Sequence, residues 1–247
     1  MNRRATRCLF NLLFALLLFA AKAHASTNEE FAAGLDAYRA GDFGKAAKVF
    51  GEEAKLHPAA GTLVNLGLAE WRRGHAGPAI LAWEQARWID PFNREARANL
   101  EFARQVSTLD APELKWPEAV SARLPANAWA WIAGGSLWLA VAMFALPAWL
   151  RWRRTGWQPA LAALALAVCV MSLPAHWGIR SRARIGFVLE RTALLGLTPT
   201  QNSETVATLS AGEPVRYARR QGNFVLVHTL NGEGWVEQDR VGFVAAR

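Results

Sequence analysis

Two stretches of equal length, residues 34–58 (GLDAYRAGDFGKAAKVFGEEAKLHP) and residues 67–91 (GLAEWRRGHAGPAILAWEQARWIDP), carry the same marks at an offset of 33 positions. Gly34, Gly41, Ala46 and Pro58 recur as Gly67, Gly74, Ala79 and Pro91, and the aromatic positions Tyr38 and Phe50 recur as Trp71 and Trp83. A single glycine spacing would carry little weight, but this many matches at one offset define an internal repeat. The small residues let paired helices approach, the aromatic residues fill the space between them, and each proline marks the turn after a second helix. Residues 26–106 therefore read as all-α: two helical repeats, then a third helix after Pro91 (REARANLEFARQ, 94–105) that caps the second repeat.

This pattern resembles the tetratricopeptide repeat, a helix–turn–helix unit of about 34 residues. In that family an inner-helix asparagine often faces the concave groove and hydrogen-bonds an extended peptide. The resemblance gives that role to Asn65 and Asn99, and sets Phe31, Tyr38, Trp71 and Arg72 along the same groove. Tyr38 and Trp71 fit interhelix packing equally well. Fewer than three repeats are marginal for a solenoid, so a partner or the linker at 107–125 is expected to complete this one.

Outward from the repeats the composition changes. Between Arg123 and Arg151 lie 27 residues without a charge, and between Arg154 and Arg180 lie 25 more. Each run exceeds the roughly 20 residues a helix needs to cross hydrocarbon. The expectation is a transmembrane hairpin, with helices at 126–150 and 157–178 joined by a cytoplasmic loop at 151–156. Trp129, Trp131, Trp149, Trp157 and Trp177 lie near the ends of the runs, where indole rings settle at headgroup level. The rival reading is a buried helical hairpin in a soluble domain, but nothing else in the chain has the surface to cover it. Pro147 and Pro174 are expected to end or kink their helices, and Gly134-Gly135 to let the two helices approach. Neither run has an interior acidic or basic residue, so there is no sign of an ion path or proton relay.

The N-terminus supplies a direction. Arg3, Arg4 and Arg7 precede an apolar run from Cys8 to Ala21, followed by Ala23-His24-Ala25. This is the pattern of a secretory signal at 1–25, or else of an uncleaved anchor. Both readings place the residues after 26 outside the cytoplasm, and both leave Arg151, Arg153 and Arg154 inside it, as the positive-inside rule prefers. The expected location is the bacterial inner (cytoplasmic) membrane, with both terminal domains periplasmic. Arg180, Arg182 and Arg184 dissent, because they fall outside; anionic headgroups offer them partners. The arginines flanking the two runs and the basic signal hold the whole positive excess, the rest of the chain being balanced or slightly acidic, and the net charge is +8. The basic balance thus belongs to topology and not to a nucleic-acid face. Cys169 lies within a span and Cys8 within the signal, so no disulfide is expected in the exported protein.

After Arg184 the chain breaks into short alternating segments: FVLE, TVATL, PVRYARR, FVLVHTL and GWVE. Asn231-Gly232 reads as a tight hairpin turn, and residues 185–247 as a small all-β barrel. The order resembles bacterial SH3-like (SH3b) domains, on the strength of TPTQNSETVATLSAGEPV, FVLV and NGEGWV. The family's usual Gly-Trp before a later strand is here Gly222-Asn223-Phe224, which weakens any carried-over ligand site. Tyr217 and Trp235 remain candidates to stack on a ligand, with Trp235 the better fit to a core position.

Signal, repeat pair, hydrophobic hairpin and SH3-like tail stand in the order of the BatE-type proteins of bacterial aerotolerance (Bat) operons, and NLGLAEWRRGHAGPAILAWEQARWIDPFNREARANLEFAR is similar to that family's repeat region. The resemblance implies von Willebrand A-type membrane partners and, indirectly, a MoxR-type ATPase. It implies no cofactor. The residues offer no enzyme: His57, His75, His176 and His228 stand apart from any nucleophile or metal-ligand spacing, and no phosphate-cradling glycine loop occurs. The expected function is a membrane-anchored protein-interaction scaffold, with a peptidoglycan tether acting through the tail as the alternative.

Overall fold

The structure, a computed structural model, describes residues 29–149, 156–230 and 232–245. The signal, the RWRR loop and Asn231 lie outside the described residues. Within them are eight α-helices and seven strands.

Helices α1 (29–39), α2 (Phe43–Leu56), α3 (Ala60–Arg72), α4 (Ala76–Ile89) and α5 (Arg94–Ser107) form the N-terminal part. The sequence repeat is realised in three dimensions. A Cβ on Gly34 would lie 2.6 Å from Cε1 of Phe50, and one on Gly67 would overlap the Trp83 indole. Each repeat thus seats its large aromatic ring on its own glycine. Gly41 and Gly74 turn between the paired helices with φ of +80° and +79°, a conformation cheap only for glycine. Asp42 caps α2 through Lys45 N at 2.9 Å, and Asn93 caps α5 through Ala96 N at 2.8 Å.

A short helix, α6 (Trp116–Ser121), interrupts the expected linker. Next come α7 (Ala126–Trp149) and α8 (Trp157–Arg182). Both are long and apolar enough to cross a membrane, with mean hydropathy of 1.5 and 1.8 over their apolar stretches. They pack on each other and on α6, and otherwise face outward: Trp131 is 80% exposed and Trp177 76%. A hairpin buried inside a soluble domain is not what the chain builds. Two expectations need correction. Neither proline ends its helix: the helical backbone of α8 runs through Pro174, and that of α7 continues past Pro147. Gly134 and Gly135 have no neighbour close to where a Cβ would stand, so they do not mediate the helix contact. The close approach is at Gly178, where a Cβ would overlap the Pro117 carbonyl of α6.

The C-terminal part is one antiparallel sheet in the order β3-β2-β6-β5-β4-β1-β7. Its strands are β1 (Ile185–Val188), β2 (Thr192–Gly196), β3 (Thr205–Ser210), β4 (Pro214–Gln221), β5 (Phe224–Thr229), β6 (Gly232–Glu237) and β7 (Val241–Phe243). All seven strands send side chains into one core, including Val188, Leu195, Leu209, Val215, Val227, Val236 and Val241, so the sheet curls around it. The hairpin between β5 and β6 pairs Thr229 with Gly232. Gly232 of the expected turn pair stands at the start of β6, and Asn231 lies outside the described residues. Strands β2 and β7 were not among the segments read from the sequence.

The two parts are not separate beads. Ile185, Phe187 and Val244 are buried in the same core as Leu63, Ile80, Trp83 and Leu100 of the helices. Gln85 Nε2 donates to Phe243 O at 3.1 Å, and Gly77 lets α4 meet the Val188 backbone closely. The helical repeats thus share their core with the sheet and with Leu109 of the 107–125 segment.

Candidate functional site

Apart from Phe31, the groove candidates divide into two groups, each with an aromatic residue that the sequence did not single out. Phe43, at the start of α2, bridges the first group. Tyr38 meets its ring edge-on at 5.2 Å, and the Arg72 guanidinium lies 5.8 Å above it. Such a stack on an exposed surface is worth about 0.5–1 kcal/mol. Phe31 packs against Phe50 with ring centroids 5.7 Å apart, in the core of the first repeat.

Phe102 of α5 bridges the second group. Trp71 stands between Trp83 (5.9 Å) and Phe102 (5.8 Å, edge-on). Trp83 is anchored in turn by its Nε1, which donates to Val64 O at 3.2 Å. Trp71 therefore has one side in the core and one against a ring that is 53% exposed. Asn99 lies three residues before Phe102, on the same side of α5. Asn65 and Asn99 are half-buried, and neither side chain makes a hydrogen bond among the described residues. Their amides keep a full complement of donors and acceptors. Asn65 shares its face of α3 with Arg72, two turns on, and not with Trp71, which a 100° step per residue sets about 120° away. The six residues therefore do not form one line: Tyr38 and Arg72 gather at Phe43, Trp71 at Phe102, and Phe31 lies in the core of the first repeat.

Phe102 had a signal that went unread. The buried stripe of α5 is Ala96, Leu100 and Ala103. A phenylalanine off that stripe is an apolar side chain left at the surface.

On the sheet, Trp235 is 6% exposed, and Arg219 lies 5.2 Å from its ring. Tyr217 meets Phe243 edge-on at 5.7 Å. Trp235 thus presents little ring surface to a ligand, in keeping with a core position.

The most highly organised polar cluster joins three elements that are far apart in sequence. Glu118 of α6, only 1% exposed, takes a two-point contact from Arg216 of β4: Nη1 to Oε1 at 2.6 Å and Nη2 to Oε2 at 3.1 Å. Ser181, near the end of α8, donates to the same Oε1, and Lys115 N donates to Oε2 at 2.9 Å. Burial pushes the Glu118 carboxyl up, but the hydrogen bonds from Arg216, Ser181 and the Lys115 backbone outweigh it and hold the group below its ordinary pKa. Arg216 also donates to Glu113 O at 3.1 Å. This clasp fixes the sheet and α6 to the end of the hairpin.

Among the described residues no three His, Cys, Asp or Glu side chains are grouped to hold a metal ion. Compared with family models, with curated proteins and with solved structures, the chain matches none.

Proposed function

We propose that this chain is a membrane-anchored protein-interaction scaffold, whose tetratricopeptide-like helices and SH3-like sheet face the periplasm together. The face shared by α3 and α5 carries the proposal. There Trp71 and the exposed Phe102 meet edge-on beside Asn99, whose amide is unspent. Apolar rings next to free amide groups suit an extended peptide segment, which brings side chains to bury and backbone groups to pair. The packing of α4 on β1 and β7 supports the topology, because the parts before and after the hairpin must lie on one side of a bilayer. Two crossings meet that requirement. The order of parts supports a Bat-type complex, with von Willebrand A-type membrane proteins as the partner class and a MoxR-type ATPase further removed.

The test is co-purification from native membranes of the full chain carrying Asn99→Ala with Phe102→Ala, both outside the buried stripe of α5. Recovery of von Willebrand A-type partners is expected to fall at least about tenfold, the cost of losing roughly 1.4 kcal/mol of contact energy, while the melting temperature stays that of wild type. Undiminished recovery would reject this face as the docking site.

A further inference from the structure

Four arginines converge on a recess of about 380 Å³ between α4, α5, the 111–114 segment and the end of α8. Arg87, Arg97, Arg104 and Arg182 line it, and among the described residues Glu84 and Glu101 are the carboxylates on its wall. Glu84 is already shared: Arg104 donates to its Oε1, and Arg87 Nη1 stands 3.8 Å from the same oxygen. The other guanidiniums make their short contacts with neutral groups, with Glu84 and Glu118 acting on Arg182 only through space. Arg182 lies 5.0 Å above the Trp88 ring and reaches Ser121 Oγ at 3.4 Å; Arg97 reaches the Pro91 carbonyl at 3.4 Å. Arg87 Nε is buried and has no acceptor among the described residues. A half-buried excess of positive charge with an unspent donor is costly unless an anion completes it. Guanidinium forks match phosphate oxygens in pairs.

We infer that this recess binds a phosphate-type anion, supplied by the headgroup of an anionic phospholipid or by a soluble phosphate. The position of the wall favours the headgroup. Arg182 ends α8, and Ala122 lies just before α7, so the recess sits at one end of the hairpin, at headgroup depth if the hairpin spans a bilayer. The headgroup source rests on that membrane reading, whereas the anion site does not.

The test uses the full chain in phosphatidylcholine nanodiscs, with melting temperature as the readout. Phosphatidylglycerol in the disc, and separately inorganic phosphate in solution, are titrated against wild type and the Arg87→Gln, Arg97→Gln double variant. In phosphatidylcholine alone the variant should melt no lower than wild type, because it loses repulsion. Phosphatidylglycerol should raise the wild-type melting temperature, with apparent affinity at least about tenfold weaker in the variant, as for one charge-assisted hydrogen bond. Arg97→Gln alone, at an exposed position, should give a smaller loss. A response to inorganic phosphate without one to phosphatidylglycerol keeps the site and assigns it a soluble ligand. No response to either, or an equal response in the double variant, overturns the proposal.

Discussion

Gly67 and Trp83 show how the repeat works at the scale of a residue. The indole occupies the space a side chain on residue 67 would need, and Gly34 and Phe50 do the same one repeat earlier. Gly67→Ala should therefore destabilise the protein by about 1–3 kcal/mol, the usual cost of overpacking a filled core. Gly134→Ala, with open space around it, should change little. Thermal unfolding of the two variants in detergent checks this, and equal melting temperatures would show that the glycine seat is not a packing device. These positions were legible in the sequence because the repeat states the same pairing twice. Asn65 and Asn99 were legible only as periodic marks. Which face each amide shares, and with which ring, depends on helix rotation that spacing alone does not resolve. Phe43 and Phe102 escaped notice because neither occupies a repeated position.

Among the elements, α6 was the least visible beforehand. Six residues inside an expected linker carry no periodicity to read. The helix owes its place to Glu118, whose partners Ser181 and Arg216 lie 63 and 98 residues further along the chain. Leaving a buried partner of such a pair alone typically costs 3–5 kcal/mol; with Arg216 a quarter exposed, about 2–4 is expected for Glu118→Gln. The pH dependence has a definite sign. The folded carboxyl has a lowered pKa, so the clasp stabilises the protein in full above the ordinary carboxylate range, near pH 4, and is lost as pH falls through the lowered value. Melting temperature measured against pH should show the gap between wild type and Glu118→Gln closing on acidification. A gap that is constant down to strongly acidic pH would mean the ionised carboxylate is not what holds α6. Strands β2 and β7 were hidden for local reasons: β2 (TALLG) lacks strict alternation and β7 has only three residues. The hairpin helices were plain from charge-free length, but their proline behaviour was not. Proline removes one backbone donor, and the neighbouring turns carry the helix across the gap.

At the scale of the molecule, sequence reading gave a string of modules and the structure gives a shared core. Nothing local in IGFV or in Val244 announces that Ile185, Phe187 and Val244 will be buried against the second repeat. That burial ties the repeats to the sheet, and the Glu118 clasp ties both to one end of the hairpin. In the proposed scaffold, the α3–α5 face and the arginine recess would stand in fixed relation to the membrane. The account therefore stands on the sidedness of its two parts. The most direct measurement replaces Cys8 and Cys169 with serine, introduces Glu52→Cys in α2 or Arg220→Cys in β4, and labels intact cells whose outer membrane has been opened with a maleimide that cannot cross the inner membrane. Both positions are exposed. The prediction is that each is labelled without breaching the inner membrane. Labelling of only one, or of either only after the inner membrane is broken, would contradict the two-span, periplasm-facing scaffold.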